Sequence, residues 1–221
     1  MQPILFSETG DATLHLVSGT QANLIQRLWS QWRQPNLASH TDAPHFLMQR
    51  LKEARPATYI HCVRVARLAS ATGRAVGFSS ECLKQLSLAA MLHDVGKVLM
   101  PQCVLSTPRR LNLCEHALMR LHPSLGAMLI SHFGLDDKLR VRTRHHHERW
   151  DGKGYPNRLS GEAIPCMARI IHVCDTYDAM TIQRPYNKPA THDEAITEIR
   201  RCSGSQFDPR MVEAFLDARV A

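Results

Sequence analysis

The sequence lacks the marks of several protein classes. Aromatic residues make up only 6% of the chain, and strings rich in Leu, Ala, Arg, Glu and Gln outweigh β-branched runs, so a sheet protein is disfavoured and a mostly helical one expected. The seven cysteines (Cys62, Cys82, Cys103, Cys114, Cys166, Cys174 and Cys202) form no CxxC pair and no regular spacing. This argues against a disulfide scaffold and a structural zinc knuckle, leaving reduced, mostly buried thiols. The opening MQPILFSETGD has no basic leader followed by an apolar stretch, and no apolar run approaches the length of a membrane span, so a soluble cytoplasmic protein is expected. Internal repeats and low-complexity tracts are missing. So is any interleaving of basic and aromatic residues of the kind that stacks on nucleic acid, and no nucleic-acid polymer is expected as partner.

What is present begins with charge: a formal +7, carried mainly by arginine, whose planar fork suits phosphate. A solvated basic surface explains the charge equally well until a site is found. At 221 residues the chain holds one sizeable core and a small appendage. Residues 1–45 differ in character, with a short strand expected over Thr13 to Val17 and a helical stripe in Leu24, Ile25, Leu28, Trp29 and Trp32. The breaker-rich QPNLASHTDAP reads as a linker, so the main domain is expected over 46–221. Helices are predicted over Thr58 to Gly73 and Ser80 to His93, the second capped by Ser79 or Ser80 and terminated by Gly96. Asn112 with Glu115 and Thr191 with Glu194 match capping boxes. The first opens a helix closing at His122 and Pro123, and Gly134 stops the next. Residues 136–147 are expected as helix, RWDGKGYPNRLSGEAIP as irregular loop, and Met167 to Ile182 as helix. Asp208 and Pro209 cap and start the last one.

Polar residues in apolar helical stretches then stand out. In LHDVGK, His93 and Asp94 end a helix that is apolar through Leu86, Ala89, Ala90 and Leu92. Neighbours on a helix point about 100° apart, so the pair can embrace an ion but cannot both face the core. A mutual cap is the simpler reading of that pair alone. The remaining distribution reverses it. His61 lies in YIHCVRVA, His122 precedes Pro123, His145, His146 and His147 precede Glu148, and Asp175 follows an apolar run in RIIHVCDTYDAMT. Five helices thus each supply an imidazole or carboxylate, as bundle proteins do when they build metal sites in their cores. These donors suit divalent iron, manganese, zinc or nickel. Their number exceeds what one ion needs if it also binds water and substrate, which makes two metals bridged by one carboxylate the economical count.

LHDVGK with a preceding histidine resembles the HD superfamily of metal-dependent phosphohydrolases. HHERWDGKGYP and RIIHVCDTYDAMTIQRPYN are similar to its HD-GYP branch, and the likeness runs from about Ala54 to Phe215, including HPSLGAMLI and QFDPRMVEAF. It implies an all-α HD-domain helical bundle with a short N-terminal extension, and a phosphodiesterase opening cyclic di-GMP to linear pGpG and/or GMP. By the same resemblance, His61, His93, Asp94 and Asp175 would hold one metal and Asp94, His122, His146 and His147 the other. The metals are expected to be iron or manganese, with zinc and nickel compatible, and a hydroxide between them would be the nucleophile. Lys97 would contact the phosphate or the leaving oxygen. Tyr155, Arg184 and Lys188 would border the substrate, and the Tyr155 loop would also dock a signalling protein. Gly152 and Gly154 permit positive φ and close backbone approach, while Asp178, one turn after Asp175, either orients a metal ligand or lies on the helix surface.

The chain departs from the family pattern in three places. Ala57 stands where some members carry a third-metal glutamate, giving an expectation of two metals. Asn187 replaces a frequent basic residue, with Lys188 beside it. Residues 1–45 are too short for a receiver or sensor domain. Two other readings stay open: an HD hydrolase for another cyclic dinucleotide or nucleotide, and a slow site that senses cyclic di-GMP and engages a partner.

Overall fold

Pro56 cannot follow a helical residue comfortably, and Arg55 before it leaves the helical region (φ −142°, ψ 67°). This break separates α1 (Ala43–Ala54) from α2 (Pro56–Ala75), the element most of the others share. The computed structural model describes residues 42–107, 109–183 and 188–218, all within the compact unit Pro35–Ala221. The strand and helical stripe expected before residue 41, and Arg184 and Asn187, lie outside the described residues.

α2 buries Cys62, Val65, Ala66, Ala69 and Thr72, a spacing of three and four that points one face inward. α1, α3 (Ser80–Leu92), α8 (Cys166–Thr181) and α10 (Pro209–Asp217) all pack on it. α8 buries residues on nearly every side, from Met167 and Ala168 through Ile170, Ile171, Val173 and Cys174. Each fully buried isoleucine contributes roughly 1.5–3 kcal/mol. Such a helix needs cover all round, and receives it from α2, α3, α10, α7 (Asp137–Arg144) and α9 (His192–Arg201). Between α3 and α7 lie a 3-10 segment (Val95–Leu99), the short α4 (Gln102–Leu105), α5 (Leu113–Met119) and α6 (His122–His132). Among the described residues there is no strand, only an isolated bridge between Ser203 and Phe207, and no helix long and apolar enough to cross a membrane.

Both capping boxes form, at Asn112 with Glu115 and at Thr191 with Glu194, and Ser79 and Asp208 cap α3 and α10. Four expectations need correction. α3 ends at Leu92, and Gly96 belongs to the following 3-10 segment instead of stopping the helix. His122 does not close a helix. The chain turns at Arg120 and Leu121, and His122 starts α6 with Pro123 in the first turn, where no backbone donor is needed. α7 stops at Arg144, because His145 and His146 turn their Nδ1 atoms onto the carbonyls of Val141 and Thr143 and compete with the helical ladder. The long loop holds one 3-10 turn, Gly161–Ala163.

Candidate metal centre

The ends of α3, α5 and α7 meet the middle of α2 and of α8, bringing together side chains far apart in sequence. Two groups have donor atoms within 4.8 Å of one another: His61, His93 and Asp94, and His122, His146 and His147. Asp94 faces both. Its Oδ2 lies 3.7 Å from His61 Nε2 and 3.6 Å from His93 Nε2, while its Oδ1 lies 3.2 Å from His122 Nε2. Asp175 Oδ1 joins the first group, 3.0 Å from His61 Nε2 and 4.0 Å from His93 Nε2.

The 3-10 segment brings the two groups together. A Cβ on Gly96 would lie 2.0 Å from the His122 carbonyl oxygen and 2.5 Å from the Gly126 nitrogen, so only glycine lets the turn after Asp94 touch the start of α6.

The imidazoles are held by their other nitrogen. Nδ1 of His93, His122 and His146 each meets the carbonyl three residues back, on Ala90 (2.6 Å), Met119 (2.7 Å) and Thr143 (2.7 Å). His61 Nδ1 meets Asp178 Oδ2 at 2.6 Å, and Arg64 grips both oxygens of Asp178 at 2.5 and 2.8 Å. Donating from Nδ1 leaves Nε2 as a lone pair aimed into the cluster.

That arrangement fits a cation. Nε2 of His93 and Oδ1 of Asp94 are buried without a hydrogen-bond donor. His122 Nε2 and His146 Nε2 face each other at 3.3 Å, two acceptors with nothing to share unless a positive charge lies between them. Burial, with neighbouring imidazoles, lowers the pKa of His146 and His147 well below the ordinary histidine value and that of His93 below it, so they are neutral at pH 7. Burial alone would raise Asp94, but Lys97, His93 and His122 hold it well below the carboxylate range. Asp175 is likewise held down against burial, by His61 and His93. His61 is the exception. Burial lowers it, but Asp175 and Asp178 overcome that and raise it to about 9. A bound cation would replace that proton as counter-charge to the carboxylates.

Lys97 Nζ lies 2.6 Å from Asp94 Oδ2. Tyr155 stacks on His147, with ring centroids 4.9 Å apart and planes at 29°, and burial raises its phenol pKa so that it stays protonated. Gly152 takes φ +75°. A Cβ on Gly154 would lie 2.4 Å from the Arg149 nitrogen, so the loop closes directly onto the strip carrying the histidines. His145, first of the run, turns to Val141 and Asn157, away from the cluster. Lys188 is exposed, and its charge acts on Glu194 at the start of α9.

Sequence reasoning passed over two residues. Glu148, buried beside the histidines, accepts the backbone N–H of Asn157 (2.6 Å) and Leu159 (3.1 Å) and pins the Tyr155 loop. Nothing in HHE separates that task from metal binding. Arg64 was foreshadowed by its place three residues after His61, the spacing of helical neighbours.

The HD domain family profile matches residues 39–211. A cyclic di-GMP phosphodiesterase of Pseudomonas aeruginosa is 39% identical over 76% of this chain and 41% of its own length. The cyclic di-GMP phosphodiesterase response regulator RpfG of Xanthomonas campestris is 39% identical over 71% of this chain and 42% of its own. The chain therefore spans less than half the length of these relatives. Among solved structures, an HD-GYP-like protein of Bdellovibrio bacteriovorus superposes with a TM-score of 0.62 over 89% of this chain and 69% of that one, at 18% identity, a likeness of fold. The helical bundle, the paired histidine and aspartate clusters and these matches agree: the chain belongs to the HD domain family, in its HD-GYP branch.

Proposed function

We propose that this domain hydrolyses a phosphodiester bond of a cyclic dinucleotide, cyclic di-GMP, giving linear pGpG and/or GMP at a centre of two divalent metals. The observation that carries the reading is Asp94, whose two carboxylate oxygens face two separate imidazole groups. His61, His93, Asp94 and Asp175 would hold one ion and Asp94, His122, His146 and His147 the other. Ala57, one turn before His61, offers no donor for a third. Iron and manganese suit this donor set, and a pair of such ions supplies charge for the phosphate oxygens and acidifies water.

The protein's own groups do the rest. The carbonyls behind His93, His122 and His146, and Asp178 behind His61, fix the rings before substrate arrives. Lys97, kept charged by Asp94 against burial, presents an ammonium to the phosphate or to the departing 3′-oxygen. Tyr155, protonated, is a donor at the edge of the substrate; Arg184 and Lys188 follow α8 and would meet its phosphates. The same loop serves as the docking face for a signalling protein.

The test is metal analysis with turnover of cyclic di-GMP in air and under anaerobic conditions, using Asp94→Ala as control. Two equivalents of metal and loss of turnover in the variant are expected. Undiminished turnover in Asp94→Ala sinks the bridged centre, three tightly held equivalents contradict the reading of Ala57, and tight binding without turnover makes the domain a sensor.

A further inference from the structure

Beside His147 and Tyr155 lies a cavity of about 370 Å³ whose basic side chains, Arg120 and Lys153, the reaction as described leaves unused. Its lining carries no carboxylate. His116 and Arg120 come from α5 and the turn after it, Lys153 and Tyr155 from the loop, and Arg149 and Gln206 close it. Arg149 is neutralised, since Asp151 takes it through both oxygens at 3.0 and 2.8 Å. Arg120 and Lys153 are not. Arg120 lies over the Tyr155 ring, 4.6 Å from its centroid, and among the described residues no carboxylate pairs with its guanidinium or with the Lys153 ammonium. Both are exposed. Two unpartnered cations of different shape, one wall shared with a residue of the metal cluster, and no acid in the lining make a receptor for an anion that must lie beside the metals without reaching them.

Resting on the phosphodiesterase reading, we infer that Arg120 and Lys153 hold the terminal 5′-phosphate of the linear dinucleotide and so favour its further cleavage to mononucleotides. The chemistry of the two substrates decides this. Each phosphate of the ring is a diester with one negative charge, tied at both ends. Opening the ring frees one of them as a terminal monoester carrying about −1.5 to −2 at pH 7. Its extra charge and freedom to swing match a cavity with two unpaired cations. Held there, it leaves the remaining diester at the metal cluster. In that second hydrolysis the oxygen of water bonds phosphorus, the bond from phosphorus to the 3′-oxygen breaks, and a proton from that water ends on the departing 3′-oxygen.

The experiment uses the full, metal-loaded chain with cyclic di-GMP, the 5′-phosphorylated linear dinucleotide, and the same dinucleotide lacking that phosphate. Wild type should prefer the phosphorylated linear form by about tenfold in kcat/KM, the loss expected for one charge-assisted hydrogen bond. Arg120→Gln with Lys153→Gln should abolish that preference and raise the share of linear dinucleotide among the products. Calorimetric binding of the two linear dinucleotides to wild type and variant reads the subsite without turnover. A binding preference that the variant loses supports the inference. Equal binding by wild type, binding of neither, or a preference that survives in the variant overturns it. A wild type that prefers the phosphorylated form yet cleaves none of the three refutes the hydrolase reading and leaves the subsite standing.

Discussion

Gly96→Ala adds one methyl group where the two halves of the metal cluster touch. The new Cβ would start 2.0 Å from the His122 carbonyl oxygen, and real contacts of this kind do not fall below 3.0 Å. Since the neighbours are backbone atoms of α6, no side chain can swing aside, and the 3-10 segment and α6 must part by about 1 Å in a close-packed interior. Overpacking of this kind costs roughly 1–3 kcal/mol, with backbone contacts at the upper end. The same movement carries His122 away from Asp94 Oδ1, now 3.2 Å from its Nε2. Metal–ligand distances tolerate about 0.2 Å, so affinity should fall at least tenfold. Misplacing reacting groups by about 1 Å can cost a further 100-fold in rate. Urea denaturation of chelator-treated protein reads the first effect, and calorimetric metal titration the second. Gly77→Ala separates strain from crowding: Gly77 has φ +86° with nothing within 4 Å of its Cβ position, so that variant should lose about 1 kcal/mol and keep its metal affinity. A Gly96→Ala protein with wild-type stability and wild-type metal affinity refutes the claim that this contact sets the spacing.

Arg169 and Asp208 form a buried ion pair at 2.5 Å that joins α8 to the cap of α10, and Arg169→Met should cost about 3–5 kcal/mol in urea denaturation by stranding the carboxylate. Burial holds the His172 pKa at about 4, against about 6.5 for an unperturbed histidine. The unfolded chain therefore takes up that proton first as pH falls. His172's contribution to stability is whole above pH 6.5, is lost between 6.5 and 4, and amounts to about 3 kcal/mol. Stability against pH should fall less steeply over that window in His172→Phe, and parallel curves would contradict the assignment. Glu148→Gln has one acceptor oxygen where two N–H groups need it, so faster amide exchange at Asn157 or Leu159 and a loss of about 1–3 kcal/mol are expected. Asp178→Asn should weaken metal binding by about 10–100-fold without unfolding the protein, and undiminished affinity would show that His61 needs no such support.

Signals between near neighbours were legible in the sequence. Both capping boxes, the Asp208 cap, α2 and α8 follow from side chains three or four residues apart acting on their own backbone. Motif resemblance supplied the ligand set, but the sequence alone could not sort His145, His146 and His147, because three adjacent imidazoles look alike until α7 ends. Where it ends is a contest between the helical ladder and the ring nitrogens, decided by the packing around residue 144. Arg120, Lys153 and Glu148 were invisible as partners of the site because each gains its meaning from a contact with another element. Arg64 was half-visible: its spacing from His61 was plain, its grip on an aspartate 114 residues away was not.

The four oriented histidines show a rule that local sequence expresses only in part. His93, His122 and His146 each follow the last turn of a helix, where carbonyls have no intrahelical partner. Each takes one of those carbonyls with Nδ1, so the carbonyl ends of three helices converge on the place where cations would be held. These histidines are thereby oriented by backbone groups, at no cost in buried side-chain charge. His61 sits inside α2, where every nearby carbonyl is already taken by the helix. It must borrow a carboxylate, Asp178, and that buried charge in turn requires Arg64. The position of a ligand along its helix thus determines what kind of support it has. No side-chain substitution outside the rings can release His93, His122 or His146 from their carbonyls, whereas one change at Asp178 releases His61.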